Sequence, residues 1–236
     1  MSKKSGFVKV LGAVAAIALG VLGTGKAEAS FTSIQSPWPG EASQGQILSH
    51  TYGGTFVQNG LDYTNGNITA VRVDDAFDQV FHFDIASIKT IAKFSGGSQG
   101  LAYGTLDNEH QLFNVTGNHY AVGGSTGHLD MPGSFSLIRT GTGQDYSSDA
   151  SVNPDGADHL VTYLLQGAKN SHPTYVMFWE DQTFKKSDLD FNDFAVEVKS
   201  SCPVVVPLPA ATWSGLATLG GSALVAGYRK ARRRLA

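Results

Sequence analysis

The chain is poor in several kinds of residue at once. Its 236 residues contain one cysteine, Cys202. A lone thiol excludes an internal disulfide framework and any site built from several cysteines. The 7 histidines never recur at His-x-x-x-His spacing, which argues against zinc. Between Ser30 and Lys199 no stretch sustains a helical period, so an all-helical fold is excluded. The Gly-rich segments 95–100 and 123–127 lack the strand-to-helix setting of a phosphate cradle and read as loops. No nucleophile elbow or catalytic triad is recognisable.

The two ends read as targeting segments. Lys3, Lys4 and Lys9 open the chain, an apolar run over 10–23 follows, and Ala27-Glu28-Ala29 offers signal peptidase its small-x-small site. Ser30 is then the expected first residue of the mature protein. The run is shorter than the roughly 20 apolar residues of a membrane span. At the other end, residues 210–228 carry no charge and are followed by Arg229, Lys230, Arg232, Arg233 and Arg234. As a helix the neutral stretch measures about 28 Å, close to the thickness of a bilayer core. Trp213 and Tyr228 stand near its ends, and the basic cluster 229–236 is expected to stay cytoplasmic.

Without these ends the charge balance changes. Lys plus Arg falls from 17 to 8 and Asp plus Glu from 20 to 19, so residues 30–209 carry net −11 against −3 for the whole chain. So few cations exclude a nucleic-acid partner, because phosphate binding needs a basic surface. The surplus of carboxylates favours cations instead. Cys202 falls in the linker before the tail and reads as an exposed spacer residue.

Val206-Pro207-Leu208-Pro209, one weak membrane helix and a terminal Arg cluster together resemble the PEP-CTERM sorting signal. Leu208 stands where that family's usual tetrad has Glu. The resemblance implies export to the envelope, surface or extracellular matrix of a Gram-negative-type bacterium that makes exopolysaccharide or biofilm. It also implies an exosortase-type protease that processes the tail. The expected organisation is a signal peptide over 1–29, one domain over 30–199, and a linker with sorting signal over 200–236.

Within 30–199, short runs with β-type patterning recur between Gly, Asn and Asp residues. They cover 54–57, 68–73, 79–84, 88–94, 134–139, 160–165, 175–179 and 194–198. Asn65-Gly66 is a turn signal between two of them. Many short strands at this spacing predict a mainly β fold, a β-sandwich or jelly roll. Residues 85–93 also fit one helix, and residues 141–155 read as one long loop.

The informative stretch runs from Phe178 to Val198. Asp188, Asp190 and Asn192 alternate with Leu189 and Phe191. In a strand this puts three oxygen-bearing side chains on one face; in a curled loop it wraps them around a point. Like charges so close repel, so a cation is expected, and Ca²⁺ takes 6–8 oxygen ligands in irregular geometry. Asp193 joins the set, and Glu180 and Asp181 join it if the intervening loop folds back. An EF-hand is excluded, because Asp193 stands at the turn-Gly position and Lys199 at the position of the bidentate Glu. The other reading is a solvated acidic turn.

Phe178-Trp-Glu-Asp181 with the Asp188-x-Asp-x-Asn-Asp193 run resembles the C-terminal signature of domain-of-unknown-function family 4114. Asp155-Gly-Ala-Asp158-His159 resembles an upstream segment of the same family. The resemblance implies a β-rich, cation-binding exported domain with no established catalysis, and makes Asp155, Asp158 and His159 accessory candidates. Two functions remain open. One is a non-catalytic, calcium-stabilised surface or matrix module gripping exopolysaccharide. The other is a secreted carbohydrate hydrolase with paired carboxylates among Glu180, Asp181, Asp188 and Asp190.

Overall fold

The β-type runs assemble into two antiparallel sheets in the computed structural model, which describes residues 30–82, 86–127, 129–130, 133–167 and 173–200. The expected signal peptide and the expected sorting tail, with Cys202, lie outside the described residues. Among the described residues no helix is long and apolar enough to cross a membrane.

In chain order the elements are α1 (Gln44–Tyr52), β1 (Val57–Asn59), β2 (Asp62–Thr64), β3 (Thr69–Arg72), β4 (Ala86–Lys93), β5 (Gln99–Thr105), β6 (Asn108–Val115), β7 (Ser136–Gly141) and β8 (Tyr146–Ser147). A 3₁₀ turn (Ala150–Val152), β9 (Leu160–Gln166), β10 (Thr174–Trp179) and β11 (Phe194–Ser200) complete them. The large sheet has the order β1-β2-β3-β9-β10-β11-β4 and the small one β6-β5-β7-β8. The Asn65-Gly66 turn joins β2 to β3, with Gly66 at φ 86 as such a turn demands.

The period of two decides where the core sits. Along β10, Tyr175, Met177 and Trp179 face the small sheet, where they meet Leu101 and Leu137. Val176 and Phe178 face the other way, onto Ile47 and Leu48 of α1. Both faces of β10 are therefore buried, which explains its unbroken apolar run. Each such side chain contributes about 1.5–3 kcal/mol through burial. Glu197 of β11 points to the α1 side, where Tyr52 Oη donates to it at 2.7 Å and Lys89 and Lys199 approach from the surface.

Sequence expectations need correction in several places, and one alternative is settled. A helix does exist: α1 is short, with only Ile47 and Leu48 as buried apolar side chains, and a Ser43–Gln46 capping box starts it. Residues 86–93 form β4, as the run 88–94 predicts, and not the alternative helix: paired with β11, they send Ile88 into one core layer and Ile91 into the other. Residues 99–100 open β5 rather than ending a loop. The segment 141–155 contains β8 and the 3₁₀ turn, held by Ser147 N donating to Asn153 Oδ1 at 2.7 Å.

Candidate metal centre

The acidic residues gather at one end of the large sheet. Trp179 of β10 pairs with Leu160 of β9 and with Phe194 of β11. The residues just beyond these three positions, Glu180, His159 and Asp193, are therefore neighbours. The connection 180–193 between β10 and β11 loops over that end.

The loop is curled. Leu189 and Phe191 take φ of 59 and 54, a left-handed region that side chains of this size rarely enter. Burial offsets the strain: Phe191 is wholly enclosed and packs edge-on to Phe184. The backbone is tied to the N-terminal segment by Gln35 N donating to Leu189 O at 2.8 Å. Asn192 Nδ2 donates to Ala42 O at 3.1 Å and to Asp190 Oδ2 at 2.6 Å.

The expected ligands fall into two adjoining groups. Asp188 and Asp190 converge with Glu41, and Glu180 and Asp181 converge with Asp193; within each group one oxygen per residue lies within 4.8 Å of the others. Asn192 serves as a brace of Asp190, although its Oδ1 has no partner. Glu41 had no signal in the sequence, being distant along the chain and outside any motif. Its turn, closed by Glu41 N donating to Trp38 O at 3.1 Å, brings it to the loop.

The electrostatics differ between the groups. Burial and the Asp188 charge push the Asp190 carboxyl up to about 7. Burial, Glu180 and Asp181 push Asp193 up to about 10. Glu180 is raised too, first by burial. Lys93 and Arg139 act on Asp181 and Asp193. The charges that act most on Asp190 are those of Asp188, Glu180 and Glu41, all carboxylates. Lys185 and Lys186 are exposed. Glu180 is fully buried, and its Oε2 has no hydrogen-bond partner.

The accessory candidates take other places. His159 Nε2 lies 3.1 Å from both oxygens of Asp155, and the ring stacks on Tyr146 at 3.6 Å. Asp155 also accepts from Phe184 N, so the pair braces the acidic loop from below. Asp158 turns away from His159 and joins Asp75 and Asp78.

The curled Asp-x-Asp-x-Asn-Asp loop, entered from Trp179-Glu180 and braced by the Asp155–His159 pair, bears on the family question. Residues 125–201 match DUF4114, a domain of unknown function. The DUF4114 stretch holds Asp155, Asp158, His159 and the whole acidic loop, while Glu41, Asp75 and Asp78 fall outside it. No curated protein matches the chain. Among solved structures, the Chromobacterium violaceum lectin CV2L in complex with alpha-methyl-fucoside is 18% identical, with 53% of this chain and 98% of that chain covered and a TM-score of 0.37. A high-affinity mannose-binding lectin of Ralstonia solanacearum is 16% identical over 53% and 97%, with a TM-score of 0.36. The C-terminal domain of the Burkholderia cenocepacia lectin BC2L-C is 14% identical over 53% and 97%, at 0.35. Likeness at this level says nothing of a ligand.

One further pattern corrects the expectation that no nucleophile elbow is recognisable. Gly96-Gly97-Ser98-Gln99-Gly100 spells the letters of a nucleophile elbow, but it leads into a strand rather than a helix. Its Ser98 Oγ pairs with Thr142 Oγ1 at 3.0 Å, not with a histidine.

Proposed function

We propose that the domain is an exported, non-catalytic surface or matrix module that binds calcium in its acidic loop and holds exopolysaccharide. One observation carries the calcium reading. Glu180 is fully enclosed, its Oε2 lacks a partner, its carboxyl converges with Asp181 and Asp193, and the nearby charge of Asp188 acts on it as its own acts on Asp190. A buried carboxylate in such company needs either a proton or a cation. The donors are all oxygens, which suits a hard cation, and the uneven arrangement suits Ca²⁺ better than Mg²⁺.

Asp188 and Asp190 from the loop and Glu41 from the turn before α1 would hold the ion, with Glu180 in the adjoining group as the nearest further carboxylate. Asp181 and Asp193 already have Lys93 and Arg139 as neighbours, so their need for an ion is smaller. Export through signal peptidase, and tail processing by an exosortase-type protease, rest on the sequence patterns alone, and so does the exopolysaccharide partner. The hydrolase reading is less favoured. Glycosidases set two carboxyl groups about 5–9.5 Å apart across a cleft, whereas here the oxygens of each group converge within 4.8 Å.

Calorimetric titration with Ca²⁺ tests the reading. Saturable binding in the 10⁻⁴–10⁻³ M range of extracellular modules is expected, with loss in Asp190→Ala. Wild-type protein that gives no heat with millimolar Ca²⁺ sinks the proposal. Co-sedimentation with the producing cells' exopolysaccharide, with and without chelator, tests the sugar partner separately.

A further inference from the structure

A second group of carboxylates lies outside the acidic loop. Asp75 and Asp78 follow β3, and Asp158 precedes β9; one oxygen from each lies within 4.8 Å of the others. Most of their oxygens have partners. Asp75 takes Arg72 Nη2 at 2.7 Å and Thr32 N, and Asp158 takes Leu160 N at 3.0 Å and Gln79 Nε2 at 3.1 Å. Asp78 is the exception. It is 0% exposed, its Oδ1 is 3.4 Å from Gln79 Nε2, and its Oδ2 has no partner.

An independent observation comes from β9. Thr162 Oγ1 is buried and also unpartnered, and it lies beside the Asp78 carboxyl without hydrogen-bond geometry. The hydroxyl and the carboxyl are both enclosed and lie side by side, and neither Thr162 Oγ1 nor Asp78 Oδ2 has a hydrogen-bond partner. Charge narrows what fits there. Arg72, itself buried, offsets one of three carboxylates, which leaves net −2. A divalent cation brings the enclosed group to zero, and every donor is oxygen.

We propose that Asp75, Asp78 and Asp158, with Thr162 Oγ1 as a neutral donor, form a second calcium site, structural in role and separate from the acidic loop. It fastens the segment after β3 to the start of β9. That segment already reaches the 3₁₀ turn, since Gln79 O accepts from Ser148 Oγ and Gln79 Oε1 accepts from Ala150 N. Asp158 is only partly buried and gives the ion its way in.

The test counts ions. The full chain, stripped with chelator, is dialysed against radioactive Ca²⁺, and folding is checked by circular dichroism. Asp78→Asn and Asp158→Asn should each bind one equivalent fewer than wild type. A loop-deficient Asp188→Asn/Asp190→Asn chain should keep one equivalent, and adding Asp158→Asn should remove it. Asp158→Asn is the gentler change and decides the matter if Asp78→Asn does not fold. The proposal is overturned if folded Asp158→Asn binds as many ions as wild type, or if the loop-deficient chain binds none. The three carboxylates then share a proton instead. Because the loop is altered separately, loss of loop binding and loss of this site are read as different results.

Discussion

Two acidic groups at the same end of one sheet handle crowded negative charge differently. Around Asp78 the protein supplies its own cation, Arg72, bonded to Asp75 and enclosed with it. Around Asp190 the charges that act most are carboxylates, and its two neighbours in the chain, Leu189 and Phe191, adopt left-handed backbone. The first group is mostly satisfied from within and lacks one ion's worth of charge. The second is held in a curled, left-handed shape, and the charges that act most on its Asp190 include no cation. A site that contains its counter-charge can serve the fold by itself; one whose nearest charges are all alike is the better candidate for an ion from the medium.

The largest effect should come from removing the internal cation. Arg72→Met, measured by denaturant unfolding in chelator, should destabilise the protein by about 3–5 kcal/mol, the usual cost of breaking a buried ion pair from one side. An effect below about 1 kcal/mol would erase the contrast between the groups. Next is the ion at the loop. Wild type should gain about 2.7 kcal/mol at a hundred times Kd, seen as a higher melting temperature that chelator reverses, and Asp190→Ala should not respond. Equal responses in wild type and mutant would move the ion elsewhere.

A smaller effect is the pH dependence of the stripped protein. Asp190 and Asp193 have folded-state pKa values of about 7 and about 10, both above the ordinary carboxylate value. The folded state thus holds protons that the unfolded chain releases. Stability should be highest below about pH 4 as far as these groups are concerned, and should fall as pH rises through 7. Saturating Ca²⁺ should flatten this fall, because the ion replaces the protons. A melting temperature that rises between pH 5 and 8 without Ca²⁺ would contradict the assignment. The smallest effect is expected at Lys185 and Lys186. Both are exposed, so replacing them with Ala should change stability by less than about 0.5 kcal/mol and leave calcium affinity within about twofold at physiological salt. A larger gain in affinity would mean that they compete with the ion.

How much of this the sequence carried depended on local pattern. β9, β10 and β11 announced themselves as apolar runs because both their faces are covered. β6 did not. Asn108, Glu109, His110 and Gln111 lie on an exposed edge, where polar residues fill both faces and no alternation survives. α1 was hidden by its shortness, although Ser43 and Gln46 spelled a capping box that was there to read. In the acidic loop the spacing of Asp188, Asp190 and Asn192 marked a local crowd of carboxylates, and the structure brings Asp188 and Asp190 together. The spacing could not show that Glu41 arrives from another segment, nor that the carboxylates divide into two groups. Asp158 illustrates the same limit: its neighbour in sequence is His159, but its partners in space are Asp75 and Asp78.

The position of the acidic loop relative to the end of β11 has a mechanical consequence. The loop enters β11 at Phe194, and the strand runs to Ser200 at its opposite end, about 20 Å away at the usual rise per residue. β11 lies between β10 and β4, hydrogen-bonded on both sides. Suppose the loop grips a polymer while the chain beyond Ser200 is tethered. Tension then runs from the loop to Ser200 through the covalent backbone of β11 itself. Its two ladders lie beside that path rather than across it, so the load passes without any hydrogen bond having to open.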